Sequence, residues 1–246
     1  MTDLHFNDRG DGPPVLLIHG TGTDSSIFDD AVGALAGNWR LVTPDRRGWG
    51  QSVPSDEYRQ TSIAEQAIEI ASLTRELGIR DATLAGLGFG AVVALEMALA
   101  DPDLVARAFL VEPPVFAALK EATEGMSADV EAIRTAAADG GEDAAYELFL
   151  RGGLRTLGAG AERFAEDADR GPAAPRSFLI EVPAVPAWSL DPVRLAGLEA
   201  EITVVTLPST PPLLARAAET VIDRVPGAEP VHSSRDGVAA IAALLA

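Results

Sequence analysis

The chain has 246 residues, 47% of them hydrophobic and 23% charged, enough to bury a sizeable core with no covalent or metal staple. Cysteine is absent, which excludes a disulfide framework, a thiolate nucleophile and thiolate zinc sites, and three scattered histidines (His5, His19 and His232) argue against any metal centre. A formal net charge of −18 repels phosphate backbones and anionic lipid, so neither nucleic acid nor a membrane surface is expected as a partner.

Short β-rich runs alternate with amphipathic helical stretches, the pattern of a parallel sheet covered by helices. One short strand, about 4–7, precedes a compact apolar run at 15–19. A helix is expected over 27–36, ended by Gly37, then a strand over 39–43 closed by Pro44. The loop 44–55 is rich in turn residues. Over 61–77, Ile63, Ala67, Ile70, Ala71 and Thr74 share one helical face and Gly78 ends the helix. Residues 81–87 read as a strand running into glycines, 89–100 as a helix stopped by Asp101-Pro102, and 106–111 as a strand closed by Glu112-Pro113-Pro114.

The alternation then breaks. From about 115 to 190 the chain is Ala/Glu/Arg-rich and helical, cut into short helices by Gly140-Gly141, Gly152-Gly153 and Gly158-x-Gly160. This reads as an inserted helical cap. A strand over 201–207, a helix over 211–225, a strand over 228–232 and a helix over 237–245 follow. The expected division is a core of 1–114 and 191–246 with a cap of 115–190. The opening residues have neither a basic nor an apolar leader segment. The richest apolar run, 82–100, is interrupted by Gly86, Gly88, Gly90 and Glu96, so a cytoplasmic location is expected.

Three segments carry chemistry. His19-Gly20-Thr21-Gly22 follows a strand, where backbone amides of such a turn help form an oxyanion hole; the plainer alternative is a tight strand-to-helix turn. Asp45-Arg46-Arg47-Gly48-Trp49-Gly50-Gln51-Ser52 suits a structured loop beside a site, or a structural turn held by an Asp–Arg pair. Gly86-Leu87-Gly88-Phe89-Gly90, between strand and helix, has the layout of a Gly-x-Ser-x-Gly nucleophile elbow. A dinucleotide fingerprint fits less well, because the spacing is Gly-x-Gly-x-Gly and Glu112 falls later than the required acid.

In this order the segments resemble the α/β-hydrolase superfamily over nearly the whole chain: His-Gly, Asp-x-Arg-Gly-x-Gly-x-Ser, the elbow, then a helical cap. The resemblance implies a mostly parallel, doubly wound sheet with a cap inserted. It also implies a Ser-His-Asp triad, and here the chain departs. Gly88 stands at the nucleophile position. Leu207-Pro208-Ser209-Thr210 holds no carboxylate where the acid is expected. His232 lies at a strand end with only a short loop after it, either near the pocket mouth or simply finishing the strand. Glu112 stands where some family members place their acid, or is a capping acid before Pro113-Pro114. Triad-less members include natural-product tailoring proteins, and the chain is similar in size and triad loss to the epimerase of bottromycin-type peptide biosynthesis.

A pocket without a triad still offers backbone donors near Thr21, Gly22, Gly88 and Phe89, which can stabilise an enolate as they would a tetrahedral oxyanion. The base for proton transfer would be His232, Glu112 or a carboxylate of the substrate itself. Phe116, Phe149, Phe164, Phe178 and Trp188 could line the pocket or pack the cap, and Ser209 and Thr210 lie at its rim. Three readings follow. One is a cofactor-free epimerase or isomerase acting beside a carbonyl of a small-molecule or peptide substrate. The others are a ligand-binding pseudoenzyme, and a hydrolase whose nucleophile is displaced to Ser25, Ser26 or Ser209.

Overall fold

The computed structural model describes residues 3–53, 55, 57–150, 174–235 and 237–246. Its strands are β1 (Phe6–Arg9), β2 (Pro14–Ile18), β3 (Arg40–Pro44), β4 (Ala82–Leu87), β5 (Val105–Val111), β6 (Glu201–Thr206) and β7 (Glu229–His232). They form one 7-stranded sheet in the order β1-β3-β2-β4-β5-β6-β7, parallel throughout except for β1, which runs antiparallel to β3 at the edge.

Side chains on a strand alternate between faces, and both faces here are covered. Val15 and Leu17 of β2 join Leu41, Ala85, Phe109 and Val205 under α1 (Asp29–Leu35) and the C-terminal helix Gly237–Leu245. Leu16 and Ile18 point the other way, into a larger core with α2 (Ile63–Glu76), α3 (Phe89–Ala100) and the helix Pro212–Arg224. That two-sided burial is why the central strands read as unbroken apolar runs. The sequence limits of α2 arise locally: Ser62 Oγ accepts from the Glu65 amide at 3.1 Å, and Gly78, at φ +68°, follows the last turn.

Among the described residues, the chain between β5 and β6 holds only helices: α4 (Lys120–Leu150), α5 (Pro175–Glu181), α6 (Ala184–Ala187) and α7 (Pro192–Leu195), besides a short 3-10 turn at Phe116–Ala118. The glycine pair at 140–141 was expected to separate helices, and it does: Gly141 (φ 82°, ψ −177°) leaves the helical conformation and divides α4 into two helices. Gly152, Gly153, Gly158, Gly160 and Phe164 lie outside the described residues. The expected helix 27–36 begins as a 3-10 turn, Ser25–Phe28, because the Asp24 side chain caps the Ser26 amide one turn early. The last two helices are α8 (Pro212–Arg224) and α9 (Gly237–Leu245). Among the described residues no helix is long and apolar enough to cross a membrane.

The chain leaves β2 towards β3 on one side and reaches β4 on the other, so the order reverses between β2 and β4. In open α/β sheets the crevice at the carboxyl ends of such strands is where ligands bind. His19–Gly22 and Gly88 both open onto it. α3 can sit this close only because Gly86 and Gly90 lack side chains: a Cβ on Gly90 would lie 2.2 Å from the Ile18 carbonyl oxygen, and one on Gly86 2.3 Å from that of Gly90. Gly90→Ala should therefore cost about 2–3 kcal/mol. Gly88→Ala, where a Cβ meets nothing within 4 Å but φ is +52°, should cost only about 1 kcal/mol. Thermal unfolding of the two variants should rank them in that order; the reverse ranking would contradict this packing.

Candidate active site

β4 ends in a sharp turn at Gly88 (φ 52°, ψ −114°), whose amide donates to the Val111 carbonyl at 2.9 Å before α3 begins at Phe89. Phe89 opens the helix, so its amide has no acceptor within α3 and faces the positive end of the helix dipole. The backbone is that of a nucleophile elbow, and a side chain at 88 would enter open space. Gly20, Thr21 and Gly22 (φ +82°) cross the neighbouring end of β2.

Beside the elbow, Glu112 is 4% exposed and adopts φ +49°, a left-handed conformation that costs a non-glycine residue about 1–2 kcal/mol. At least two contacts hold it there. Its amide donates to Val205 O at 2.9 Å, and the Thr210 hydroxyl donates to its Oε1 at 2.6 Å. Thr210 is itself fixed by accepting from the Leu207 amide at 2.6 Å. The loop where a triad acid was sought, 207–210, thus supplies a hydroxyl to Glu112 rather than a carboxylate to a histidine. Ser209 lies between these anchors.

The three histidines lie at separate places in the fold. His232 is exposed at the end of β7 and shares a 2.6 Å hydrogen bond with Thr206 Oγ1. Three strand spacings separate β7 from β4, about 14 Å, whereas β5, which leads into Glu112, is adjacent to β4. His5 pairs with Asp45 at 3.0 Å. His19 is fully buried; its Nε2 accepts from the Arg46 amide at 2.9 Å, so the proton sits on Nδ1 and is donated to Gly20 O at 2.8 Å.

Ser25 and Ser26, the displaced-nucleophile candidates, sit on the 3-10 turn before α1. The Ser25 amide donates to Asp45 at 2.8 Å, and the Ser26 hydroxyl donates to Asp24 Oδ1 at 2.5 Å. Phe116 packs with Met126 and Leu214. Phe149 and Phe178 stack at 4.7 Å in an apolar cluster that also holds Tyr146 and Trp49. Trp188 belongs to the main core and donates to Glu96 at 2.9 Å. These contacts are those of packing residues.

The Asp45 loop is not held by an Asp–Arg pair. Asp45 accepts from the Ser25 and Gln51 amides, both at 2.8 Å, and Arg47 pairs with Glu69. Arg46 instead turns inward and pairs with Glu181 at the end of α5, both side chains at most 1% exposed. Its Nε donates to His19 O and its Nη2 to Gly20 O, each at 2.9 Å, while Nη1 donates to Gln66 Oε1 at 2.8 Å. The guanidinium carbon lies 4.5 Å from the centroid of the Phe89 ring. Glu181 also accepts from Thr21 Oγ1 and from Trp49 Nε1 at 2.9 Å. Sequence patterning missed this cluster. Its one signal was an acid inside an apolar run, Phe178-Leu179-Ile180-Glu181-Val182, since a charge so placed needs a buried partner.

A switch-point crevice with an elbow, a glycine turn opposite it and a helical insertion after β5 defines the α/β-hydrolase class. The chain belongs to the Alpha/beta hydrolase family, which it matches over residues 15–241. It is 33% identical over 118 residues to a pimeloyl-[acyl-carrier protein] methyl ester esterase of Vibrio vulnificus, covering 48% of this chain and 44% of that protein. It is 33% identical over 102 residues to pyrrolizixenacetamide deacetylase of Xenorhabdus hominickii, covering 41% and 38%. The match thus spans less than half the length of these relatives. Among solved structures it is similar to an alpha/beta hydrolase from Sphaerobacter thermophilus (TM-score 0.73, 21% identity, covering 98% of this chain and 94% of that one). A thermophilic esterase from Thermogutta terrifontis is also similar (TM-score 0.69, 23% identity, 94% and 84%). At these identities the two structures speak for the fold alone.

Burial, with the Arg46 charge adding to it, pushes the His19 imidazole well below its ordinary range, against the raising effect of the Gly20 hydrogen bond. A depressed folded-state pKa means the unfolded chain binds the extra proton. Stability is therefore unaffected above the ordinary histidine range and falls as pH drops from about 6.5 towards the depressed value, by up to about 1.4 kcal/mol per pH unit. In NMR titrations the His19 ring resonances should stay at neutral-form positions down to the pH of unfolding. A His19 titration near 6.5 in the folded protein would contradict this arrangement.

Proposed function

We infer that this protein is a non-hydrolytic member of its family that binds a carbonyl compound and moves a proton at the neighbouring carbon, as an epimerase or isomerase without a cofactor. The observation that carries the reading is the pairing of an elbow kept in backbone but empty at Gly88 with the strained, buried carboxylate of Glu112 on the next strand. Ester and amide hydrolysis, the activities in the relatives' names, need a nucleophile and an imidazole base. Gly88 lacks the first, and the strand-end imidazole, His232, is hydrogen-bonded to Thr206, with no carboxylate in the loop 207–210 to orient it. Backbone strain that surrounding contacts enforce is commonly kept where function needs it.

In this mechanism the substrate carbonyl oxygen accepts from the Phe89 amide, and from the turn at Thr21 and Gly22. Glu112 takes a proton from the adjacent carbon, and the C–H bonding pair moves into the enolate, whose negative oxygen those donors stabilise. Glu112 or water returns a proton to carbon, so no atom is gained or lost. Likeness to the bottromycin-type epimerase in size and triad loss adds a peptide or other natural product as the substrate class. The segment 115–190 is taken as a cap on a core formed by 1–114 and 191–246; the bonds from Thr21, Arg46 and Trp49 to Glu181 support that division.

The test is carbon-bound deuterium uptake in heavy water, followed by mass spectrometry over a panel of peptides and small ketones. Wild-type protein should exchange at least one of them. Glu112→Gln should lower that rate by about 10²–10⁴-fold, the usual contribution of a general base, with ligand affinity little changed. Binding without exchange would make the protein a ligand-binding pseudoenzyme instead. Labelling of wild-type protein by a serine-directed fluorophosphonate would restore the displaced-nucleophile hydrolase. Gly88→Ser should fold yet leave p-nitrophenyl acetate hydrolysis at background, since the loop 207–210 holds no carboxylate to orient an imidazole.

A further inference from the structure

Thr21 follows β2, Arg46 and Trp49 lie in the loop after β3, and Gln66 is on α2. All four donate to one carboxylate, that of Glu181, which arrives on α5 from the segment between β5 and β6. Oε1 receives the Thr21 hydroxyl and Arg46 Nη2 (3.2 Å); Oε2 receives Arg46 Nη1, Trp49 Nε1 (2.9 Å) and Gln66 Nε2 (3.5 Å). The two ends of the guanidinium thus grip the two oxygens, the planar fork geometry that favours carboxylates.

Arg46, the charged donor, does not need Glu181 to hold its place. Arg46 remains fixed by the carbonyls of His19 and Gly20 and by Gln66 Oε1, and its guanidinium lies against the Phe89 ring at the elbow. If α5 lifts, the sheet side of the protein presents a pinned cation without its carboxylate, next to the turn after β2. Such a charge is costly to leave without an anion. An incoming carboxylate restores every bond that Glu181 made.

We propose that the Thr21–Arg46–Trp49–Gln66 cradle is a substrate-carboxylate subsite, and that Glu181 is an internal stand-in which the substrate's carboxylate displaces as α5 moves away. The substrate class is then a carbonyl compound bearing a free carboxylate. With Glu181 in place the cradle is neutral. Without it the cradle carries one positive charge, a local attraction for anions on a chain whose net charge is −18. The subsite concerns binding alone and stands whether or not Glu112 transfers a proton.

Phenylacetate is the probe and phenylacetamide, equal in shape but uncharged, the control. Glu181→Ala should bind phenylacetate at least about tenfold more tightly than wild type. Binding should change Trp49 fluorescence and raise the thermal midpoint of that variant. Phenylacetamide should do none of these, and adding Arg46→Met to Glu181→Ala should abolish the response. If Glu181→Ala does not fold, the readout moves to wild-type protein. There phenylacetate should speed amide hydrogen exchange in residues 175–187 while leaving α3 unchanged, and phenylacetamide should not. Equal responses to acid and amide, or no response to the acid, would make the pair a structural clasp and overturn the proposal. Glu112→Gln should bind phenylacetate as its parent does, so a failure of the deuterium test and a failure of this one are told apart.

Discussion

The guanidinium of Arg46 is the contact on which the arrangement of this protein turns. A cation at most 1% exposed is tolerated only if its charge and its N–H groups are met. Meeting them here draws together the end of β2, through the carbonyls of His19 and Gly20, with α2 through Gln66 and α5 through Glu181. His19 completes the knot from below: its neutral ring accepts from the Arg46 amide and donates to Gly20. The glycine turn opposite the elbow is therefore set by a buried charge as well as by packing.

Around that knot the α/β-hydrolase frame is intact where backbone matters and altered where side chains matter. Gly86 and Gly90 keep the close approach of α3 to β2, and Gly88 keeps a positive φ and its bond to Val111. At the elbow stands Gly88, the loop 207–210 carries Thr210 and no carboxylate, and His232 is exposed at the end of β7. Glu112 sits in a left-handed conformation, held by Val205 and Thr210. A backbone built to oppose negative charge on oxygen serves an enolate as well as a tetrahedral intermediate.

The segment between β5 and β6 relates to the rest through two kinds of contact. Its apolar side chains, among them Ile133, Tyr146, Phe149 and Phe178, pack largely on one another and meet Trp49. Its most buried polar tie is Glu181; Arg176 also donates to the Tyr58 carbonyl at 2.9 Å, and further along the chain Arg194 grips Glu96 of α3 with two bonds of 2.9 Å. Phe116, Phe149, Phe178 and Trp188 are thus spent on packing, while the polar residue that meets the turn after β2 is an acid.

The sequence by itself determined the order of strands and helices, because two-sided burial and helical periodicity are local patterns that single residues reveal. It also determined the loss at Gly88, since a missing side chain needs no context to be noticed. Only the tertiary structure shows how each strand-end candidate is placed and held. Glu112 and His232 looked alike as strand-end candidates, and strand order separates them: one follows the strand next to the elbow, the other lies three strands away. Arg46 and Glu181 are 135 residues apart in the chain, and no periodicity connects them. A buried ion pair is a bond between distant positions, legible only once the fold has brought them within a few ångströms.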